Sequence, residues 1–345
     1  MEAYNTRPLP TPDLGTAIER WFRRHQRPLP WRETYDPYHV WVSEVMAQQT
    51  RLEVVVPYFL RFIEAFPTLA ALAEASEDEV TAAWSGLGYY RRARMLLAGA
   101  VDVQSRFGGR IPDDLESLLG IPGIGPYTAG AIRSIAFDER APIVDGNVAR
   151  VLSRLYAIEA PIGSPALNRA AWDHAGRLVA DTASPRALNQ GLMELGALIC
   201  TPRKPTCLLC PVARHCAARS AGRTEELPRA KTRVLTHQMN IPLYLVIDPR
   251  GRVLMRRESG KLMTSMFHLP HGDPALLGGA PLRVDARQTT LVGTFRHSVT
   301  NRRITFQLFR TRARRTAGYE WIDLAGLADM PHPSYVRKAL KLAGL

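Results

Sequence analysis

Four cysteines are the residues of this 345-residue chain whose types and spacing most clearly point to chemistry. Six, two and five residues separate the successive members of the set, which is Cys200, Cys207, Cys210 and Cys216. Thiolates bind soft metals, so a short segment carrying four of them suits tetrahedral zinc or an iron-sulfur cluster. Disulfides are the alternative, but cysteine frameworks belong mainly to short secreted chains. The wide first gap and the asymmetric last gap differ from paired zinc knuckles, and we therefore favour an iron-sulfur cluster.

Two carboxylates lie beside apolar residues in segments that predict helices. Glu44 falls within the run Val40–Thr50, and a carboxyl group in apolar surroundings tends to stay protonated and can act as a general acid. Asp145 directly precedes the helical segment Gly146–Leu155, whose amides and dipole favour an ionised cap. A surface glutamate and a plain helix cap are the alternatives. Together, one neutral acid and one ionised carboxylate suit cleavage of a glycosidic bond through an oxocarbenium-like transition state.

A third segment, Leu119–Ala131, has the sequence LGIPGIGPYTAGA and predicts a helix-hairpin-helix. Gly123 and Gly125 flank its turn, where the lack of a Cβ atom lets the backbone approach a phosphate. The amides at the start of the next helix then face the anion, a contact that involves no recognition of base sequence. An ordinary tight turn is the alternative. We favour DNA binding because a helical segment follows the turn and the chain is basic.

The charge balance predicts a polyanionic partner. There are 45 lysine and arginine residues against 32 acidic residues, which gives a formal charge of +13 and a pI near 10.0. Charge alone does not establish DNA binding, since ribosomal and membrane-surface proteins are also basic. The segment Met1–Asp13 is polar and proline-rich, unlike a signal peptide, and no later stretch is long enough to cross a bilayer. We therefore expect a cytoplasmic enzyme without membrane contact.

Hydrophobic periodicity divides the chain into an all-α body, a linker and a small α+β domain. Apolar residues recur at three- and four-residue spacing from Leu14 to about Cys216. A polar, basic stretch at residues 218–236 suits a linker. β-branched and aromatic runs then predict strands at Ile241–Ile247, Arg252–Met255, Gln288–Phe295 and Ile304–Phe309, and a closing helix at Tyr335–Leu342. We predict a multidomain protein with an all-α catalytic domain at residues 1–217 and an α+β domain at residues 237–345.

In order and spacing, these segments resemble the adenine DNA glycosylases of the MutY type, within the endonuclease III superfamily of helix-hairpin-helix glycosylases. The resemblance covers nearly the whole chain. It is carried by PWRETYDPYHVWVSEVMAQQT, WSGLGYYRRAR, IPGIGPYTAGAI, VDGNVARVL, NQGLMELGALIC and the cysteine run. It implies an enzyme of base excision repair that hydrolyses the N-glycosidic bond of adenine mispaired with 8-oxoguanine or guanine. The implied partner is duplex DNA containing such a mispair, and we expect the protein to be a monomer.

The resemblance also implies roles for individual residues. Glu44 is expected to protonate the adenine leaving group, and Asp145 to stabilise the sugar cation before water attacks. Tyr127 stands where bifunctional relatives carry a lysine, and a tyrosine cannot form a Schiff base. A monofunctional glycosylase is therefore expected, with the Tyr127 hydroxyl and the Asn147 amide positioning Asp145 and water. The four cysteines are expected to hold a [4Fe-4S] cluster in a loop, residues 200–216, that presents positive charge to DNA.

A base inside a duplex is unreachable, so such an enzyme must extrude its target and fill the gap. The resemblance implies that Gln49 and Tyr89 enter the gap and that Trp31, Arg32 and Gln190 surround the extruded adenine. Simple packing is the alternative for Tyr89. An exposed helical position is the alternative for Gln190.

Residues from about Thr236 onward resemble the Nudix-related domain with which the family recognises 8-oxoguanine. No REXXEE helix is present in the sequence, so this domain is expected to recognise a base rather than hydrolyse a nucleotide. Most members have a Phe-Ser-His loop that contacts the damaged guanine, whereas this chain has Phe295, Arg296, His297 and Ser298. The arginine predicts altered discrimination of the lesion, relaxed toward undamaged guanine. A solvated basic strand face is the alternative.

Two other functions remain open at this point. A thymine-mismatch DNA glycosylase shares the hairpin tyrosine and the cluster but usually lacks a C-terminal domain of this kind. A noncatalytic DNA-binding relative would need none of Glu44, Asp145, Tyr127 and Asn147.

Overall fold

Helices occupy the first two thirds of the chain, and two small sheets follow in the last third. The computed structural model describes residues 11–230, 237–258, 266–272, 282, 284–299, 301–313, 316–327 and 330–345. It forms two compact units. The first comprises Met1–Ile63, Thr68–Ala70 and Ala98–Thr232, and the second comprises Glu64–Pro67, Ala71–Leu97 and Arg233–Leu345. The second unit therefore contains a part of the helical body together with the sheets.

Thirteen helices precede the first strand in the described part of the chain. Their bounds are α1 Thr11–His25, α2 Trp31–Thr34, α3 Pro37–Ala47, α4 Leu52–Ala65, α5 Leu69–Glu74, α6 Glu77–Ala83, α7 Arg91–Phe107, α8 Leu115–Gly120, α9 Pro126–Ala131, α10 Gly146–Leu155, α11 Pro165–Ala180, α12 Pro185–Leu198 and α13 Ala217–Ser220. This confirms the predicted all-α body. None of the described helices combines the length and the apolar character needed to cross a bilayer.

Local sequence fixes where several of these helices begin. Aspartate and serine side chains accept hydrogen bonds from the first free amides of α3, α6, α8, α10 and α11. Prolines occupy the first turn of α3, α9, α11 and α12, where the missing amide hydrogen costs nothing. Caps and prolines together set the register of the helices that carry the candidate site.

The core of the first unit lies between α1, α10, α11 and α12. Buried side chains from each helix meet there, among them Ile18, Leu152, Leu178 and Leu188. Full burial of one such side chain stabilises the fold by about 1.5–3 kcal/mol. A smaller cluster of Val40, Ala131, Ile135 and Ile143 joins α3 to the segment that follows α9.

The predicted helix-hairpin-helix is present, with a five-residue turn from Ile121 to Gly125 between α8 and α9. Gly123 has φ +82°, a left-handed conformation that favours glycine. Gly125 is extended at the cap of α9, and no atom lies within 4 Å of the position that a Cβ atom would take there. The backbone at Gly125 is therefore open to a ligand.

Within its described residues from His237 onward, the second unit has six strands and a closing helix. The strands are β1 His237–Leu245, β2 Val253–Glu258, β3 Met266–His268, β4 Thr290–Val299, β5 Arg302–Arg310 and β6 Glu320–Ile322, and the helix is α14 Ser334–Leu342. One sheet has the order β1-β5-β4, with β1 parallel and β4 antiparallel to β5. The other has the order β3-β2-β6 and is antiparallel. The predicted α+β character is confirmed, although the three-residue strands β3 and β6 were not predicted.

Candidate active site

A cavity of about 1380 Å³ opens in the first unit where α2, α3, the hairpin turn and α12 come together. Its lining includes both candidate carboxylates and most of the predicted base-contacting residues. These are Trp31, Arg32, Glu44, Gln49, Tyr127, Asp145, Asn147 and Gln190, together with both hairpin glycines, Gly123 and Gly125. The predicted catalytic and base-contacting residues of the first unit thus meet in one place, whereas the four cysteines lie outside the cavity lining.

Glu44 lies on α3 with its carboxyl group at the wall of the cavity. The helix starts where the Asp36 side chain accepts hydrogen bonds from the amides of Tyr38 and His39, at 2.9 and 3.1 Å. Glu44 is only 6% exposed. Burial raises its pKa to about 7, and the nearby Asp145 carboxyl acts in the same direction, against the Tyr127 hydrogen bond and the Arg32 guanidinium. The burial and the raised pKa support the prediction that this carboxyl group can hold a proton.

Tyr127 contacts Glu44 rather than Asp145. It follows Pro126 at the start of α9, and its hydroxyl donates a hydrogen bond of 2.5 Å to Glu44 Oε2. The Asp145 carboxyl is also close enough to act on Tyr127, and a role of this tyrosine in positioning Asp145 stays a prediction. Burial raises the pKa of Tyr127, and the two carboxylates raise it further, so the hydroxyl stays protonated as a donor.

Asp145 caps α10 as predicted. One carboxylate oxygen accepts from the Val148 amide at 2.7 Å, and the other accepts from Asn147 Nδ2 at 3.0 Å. Burial raises the pKa of Asp145, and the expectation that this carboxyl group is ionised stays a prediction. The cap bonds and Arg150 oppose this rise. The cap alone therefore does not set the charge of this carboxyl group.

Arg150 connects Asn147 to two other segments, and the sequence did not indicate this. Its Nη2 donates to Asn147 Oδ1 at 2.7 Å and to the Gly196 carbonyl at 2.8 Å, and its Nε donates to the Cys200 carbonyl at 2.8 Å. The available signal was a basic residue about one helical turn after Asn147, in the first turn of α10. The first turn of α10 is thus held by α12 and by the start of the cysteine loop.

A polar network formed by α2 and α12 lines part of the cavity wall. Arg32 Nε donates to Gln190 Oε1 at 2.8 Å, and Arg32 Nη2 lies 3.3 Å from Glu194 Oε2. Arg27 forms a two-pronged contact with Glu194 at 2.8 and 3.0 Å. Gln190 is 2% exposed, so the alternative of an exposed helical position is wrong. Arg27 and Glu194 were missed, although Glu194 lies one helical turn after Gln190 on the same face of α12.

Trp31 is also buried at this wall, where its ring meets the Phe59 ring edge-to-face with centroids 5.0 Å apart.

Gln49 has φ +58°, a conformation that non-glycine residues seldom adopt. Tyr89 belongs to the second unit, has φ +51° and is 49% exposed. Its exposed ring fits a surface contact better than the packing alternative.

The four cysteines lie in the loop and short helical turns between α12 and α13. Burial raises the pKa of the Cys210 thiol to about 11, and the other three cysteines act in the same direction. Arg154 Nη1 donates to Cys200 Sγ at 3.3 Å. Within the described residues, no three or more histidine, cysteine or acidic side chains converge as ligands of a metal ion. Four soft thiols in one loop, flanked by guanidinium donors, nevertheless fit a sulfur-ligated cluster by the chemistry of the donor set.

Arg296, His297 and Ser298 lie near the C-terminal end of strand β4 rather than in a loop, which corrects the expectation for this segment. Side chains alternate along a strand, so Arg296 and Ser298 lie on one face and His297 on the other. Arg296 and Ser298 are exposed. The His297 ring lies against the rings of Phe306 and Tyr335, with centroid distances of 6.3 and 5.9 Å. Ser298 therefore shares the face of Arg296 without any shift in register.

Comparison with known proteins places this chain in a family. The family described as "HhH-GPD superfamily base excision DNA repair protein" matches residues 42–174. An adenine DNA glycosylase of Buchnera aphidicola subsp. Acyrthosiphon pisum is 36% identical over 251 residues, which are 71% of this chain and 70% of the relative. The chain belongs to the adenine DNA glycosylase family. The matched region, residues 42–174, includes the buried Glu44 and the hairpin that supplies Tyr127.

A mammalian member of this family and a solved structure show how far the similarity extends. The adenine DNA glycosylase of Rattus norvegicus is 47% identical over 229 residues, which are 62% of this chain and 44% of the rat protein. The chain thus spans less than half the length of that relative in the match. A solved structure described as a thermostable thymine-DNA glycosylase superposes with a TM-score of 0.54 at 28% identity, over 61% of this chain and 97% of that one.

Proposed function

We propose that this family member is a monofunctional DNA glycosylase that hydrolyses the N-glycosidic bond of adenine mispaired with 8-oxoguanine or guanine in duplex DNA. It leaves an abasic site. The observation that carries the proposal is the buried Glu44 carboxyl, with a pKa near 7, at the wall of a cavity that also holds Asp145. A neutral acid beside a second carboxyl group is what departure of a neutral base from a sugar requires.

The reaction follows from these positions. Glu44 transfers its proton to the adenine ring as the bond between the base nitrogen and C1′ breaks, and the bonding electron pair leaves with the base. Asp145, held by the Val148 amide and Asn147, stabilises the positive charge on the sugar. Water then adds to C1′ and loses its proton to a carboxylate. Tyr127 donates to Glu44 and orients the acid. No lysine amine takes part, so no Schiff base forms.

The remaining candidate residues serve recognition in this proposal. Trp31, Arg32 and Gln190 form the wall that receives the extruded adenine, while Gln49 and Tyr89 contact the strand from which it left. The amides around Gly123 and Gly125 bind a phosphate. Cys200, Cys207, Cys210 and Cys216 would hold a [4Fe-4S] cluster, which would supply a structural anchor for the loop rather than a hydrolytic centre.

The second unit supplies lesion recognition in this proposal, through a Nudix-like domain at residues 237–345 in which Arg296, His297 and Ser298 lie closest to the damaged guanine. The predicted boundaries at residues 217 and 237, the monomeric state and the cytoplasmic location are part of the same proposal. Arg296 and Ser298 on one exposed strand face support it. We expect an Arg296→Ser variant to favour 8-oxoguanine over guanine more strongly than the wild type does. Equal preference in the two proteins would argue against a role for Arg296 in discrimination.

The test of the proposal is single-turnover release of adenine from duplexes that differ only in the opposite base, with a guanine–thymine duplex as a control. We expect release opposite 8-oxoguanine, without strand cleavage and without a protein adduct trapped by borohydride. Release of thymine would favour the second candidate, a thymine-mismatch glycosylase. The fold match to a thymine-DNA glycosylase is the observation that favours this candidate. An efficient strand nick with a trapped adduct would contradict the monofunctional assignment, and no release from any duplex would favour a noncatalytic DNA-binding relative.

A further inference from the structure

The segment between α6 and α7 has an unusual backbone. Gly86, Gly88 and Tyr89 have φ values of +98°, +78° and +51° within four residues. The tyrosine has a Cβ atom, so its left-handed conformation must be stabilised by the surroundings. Its side chain is nevertheless 49% exposed, and the ring cannot supply that stabilisation through burial. Neighbouring groups must therefore hold this loop, residues 84–90.

Part of the stabilisation comes from within the loop and the start of α7. The buried Trp84 donates from Nε1 to the Gly88 carbonyl at 3.1 Å, and Arg92 Nη2 donates to the same oxygen at 3.1 Å. The Arg92 guanidinium also lies over the rings of Trp84 and Tyr89, at 5.5 and 5.3 Å from their centroids. These contacts fix the carbonyl that directly precedes Tyr89.

The C-terminal part of the chain also stabilises this loop, and it does so through Tyr90. This side chain is 6% exposed, and its hydroxyl accepts a hydrogen bond of 3.2 Å from the Gly86 amide. The same hydroxyl donates a hydrogen bond of 2.7 Å to the carbonyl of His332, a buried residue 242 positions later in the sequence. One oxygen atom thus joins the backbone of the loop to the backbone just before α14.

A second set of contacts holds the segment around His332 next to the loop. Arg337, on α14, donates from Nε to His332 Nε2 at 3.2 Å and from Nη2 to Ser85 Oγ at 3.1 Å. His332 Nδ1 lies 2.8 Å from the Met330 carbonyl, so this nitrogen carries the proton and Nε2 is free to accept from Arg337. Arg257, on β2, forms an ion pair with Asp78, on α6. All of these residues belong to the second unit.

We infer that Tyr90 and Arg337 are positioning residues through which the C-terminal part of the chain sets the conformation of the loop that presents Tyr89. The inference rests on the proposed function in one respect, since Tyr89 contacts DNA only if the protein acts on duplex DNA. It adds that the segment around His332 acts on the damaged duplex through the Tyr89 loop as well as through strand β4. A change at α14 therefore alters the contact between the Tyr89 loop and the duplex, and with it the affinity for DNA.

The direct test uses hydrogen–deuterium exchange of the free, full-length, cluster-loaded protein and needs no substrate. Tyr90→Phe removes the single oxygen that accepts from the Gly86 amide, and Arg337→Ala removes the support from α14. Exchange in peptides covering residues 84–90 should become roughly three- to tenfold faster in both variants, the size expected for one lost hydrogen bond. Tyr156→Phe is the matched control, because Tyr156 stacks on His174 in the first unit, and it should leave the loop unchanged. Unchanged exchange in Tyr90→Phe or in Arg337→Ala would overturn the inference.

The functional test separates positioning from general stability. The Kd of Tyr90→Phe for a duplex containing an adenine·8-oxoguanine pair should rise roughly three- to tenfold, while the single-turnover rate at saturating enzyme stays within about twofold of wild type. A lower unfolding temperature with an unchanged Kd would mean a merely structural role and would contradict the inference. Failure of the wild type to release adenine would count against the proposed function, whereas the exchange result for the loop would stand by itself.

Discussion

Glu44 can deliver a proton only while it holds one, so its ionisation should appear directly in the pH dependence of the reaction. With a pKa near 7, the single-turnover rate should fall as the pH rises through about 7. The same shift affects stability. Between its ordinary pKa of 4.5 and about 7, the native protein binds more protons than the unfolded chain, so the free energy of unfolding falls as the pH rises through this window.

Tyr127→Phe tests the coupling between the hydroxyl and the acid. The hydrogen bond from Tyr127 lowers the pKa of Glu44, and its removal should raise that pKa. We expect the alkaline limb of the rate profile to move to higher pH, with a loss of about 1 kcal/mol of stability for the missing hydrogen bond. Tyr156→Phe provides the control. A limb that stays at the same pH in Tyr127→Phe would show that the two groups are not coupled in solution.

Residue-scale features differed in how far the sequence could predict them. Apolar neighbours and a position before a helix were enough to select Glu44 and Asp145, because both signals are local. The partner of Tyr127 was not predictable, since Glu44 lies 83 positions away in the sequence. The contact between Arg27 and Glu194 joins residues 167 positions apart, and no short motif contains both. Local patterns select chemical groups, whereas tertiary packing decides which groups meet.

At the scale of elements, the site depends on the close approach of α12 to the first turn of α10. A Cβ atom on Gly196 would lie 2.7 Å from Asn147 Cβ and 3.1 Å from the carbonyl carbon and oxygen of the same residue. The two helices can therefore pack at this distance only because residue 196 has no side chain. The same contact aligns the Gly196 carbonyl with Arg150, which in turn holds Asn147.

Gly196→Ala should disturb this packing. We expect a loss of about 1–3 kcal/mol in the free energy of unfolding, since overpacking in a core costs this much. The single-turnover rate of the folded variant should also fall, because Asn147 and Asp145 move with the first turn of α10. Gly176→Ala is the matched control, because no atom lies within 4 Å of the new Cβ position on α11. Alanine at this helical position should raise the free energy of unfolding by about 0.5–1 kcal/mol. Equal urea unfolding curves for Gly196→Ala and the wild type would contradict this account of the contact.

Element prediction succeeded where the signals were strong and failed where elements were short. Caps, prolines and helical periodicity indicated the helical body and the hairpin. Runs of β-branched and aromatic residues indicated β1, β2, β4 and β5, whereas β3 and β6, of three residues each, are too short for a pattern to emerge. The segment around Arg296 was expected to be a loop on the basis of family resemblance, but its own residues Gln288–Phe295 already predicted a strand that continues into it.

At the scale of the whole molecule, the excess of basic residues should govern affinity for DNA. With a formal charge of +13, the protein should bind duplexes partly through release of counterions from phosphates. The logarithm of the binding constant should fall linearly with the logarithm of salt concentration, with a slope of about −0.9 for each phosphate contacted. Fluorescence anisotropy with matched and mispaired duplexes would measure both slopes. Binding that does not change between low and moderate salt would exclude a phosphate-based interface.

The central claim is that Glu44 is the acid that releases adenine, and one measurement tests it most directly. Single-turnover release of adenine from a duplex with adenine opposite 8-oxoguanine is compared between the wild type, Glu44→Gln and the exposed-site control Glu139→Gln. Glutamine preserves the size of the side chain but cannot donate the proton as an acid, so the rate should fall by about 10²–10⁴ in Glu44→Gln and remain at the wild-type level in Glu139→Gln. Release of adenine by Glu44→Gln at the wild-type rate would contradict the account.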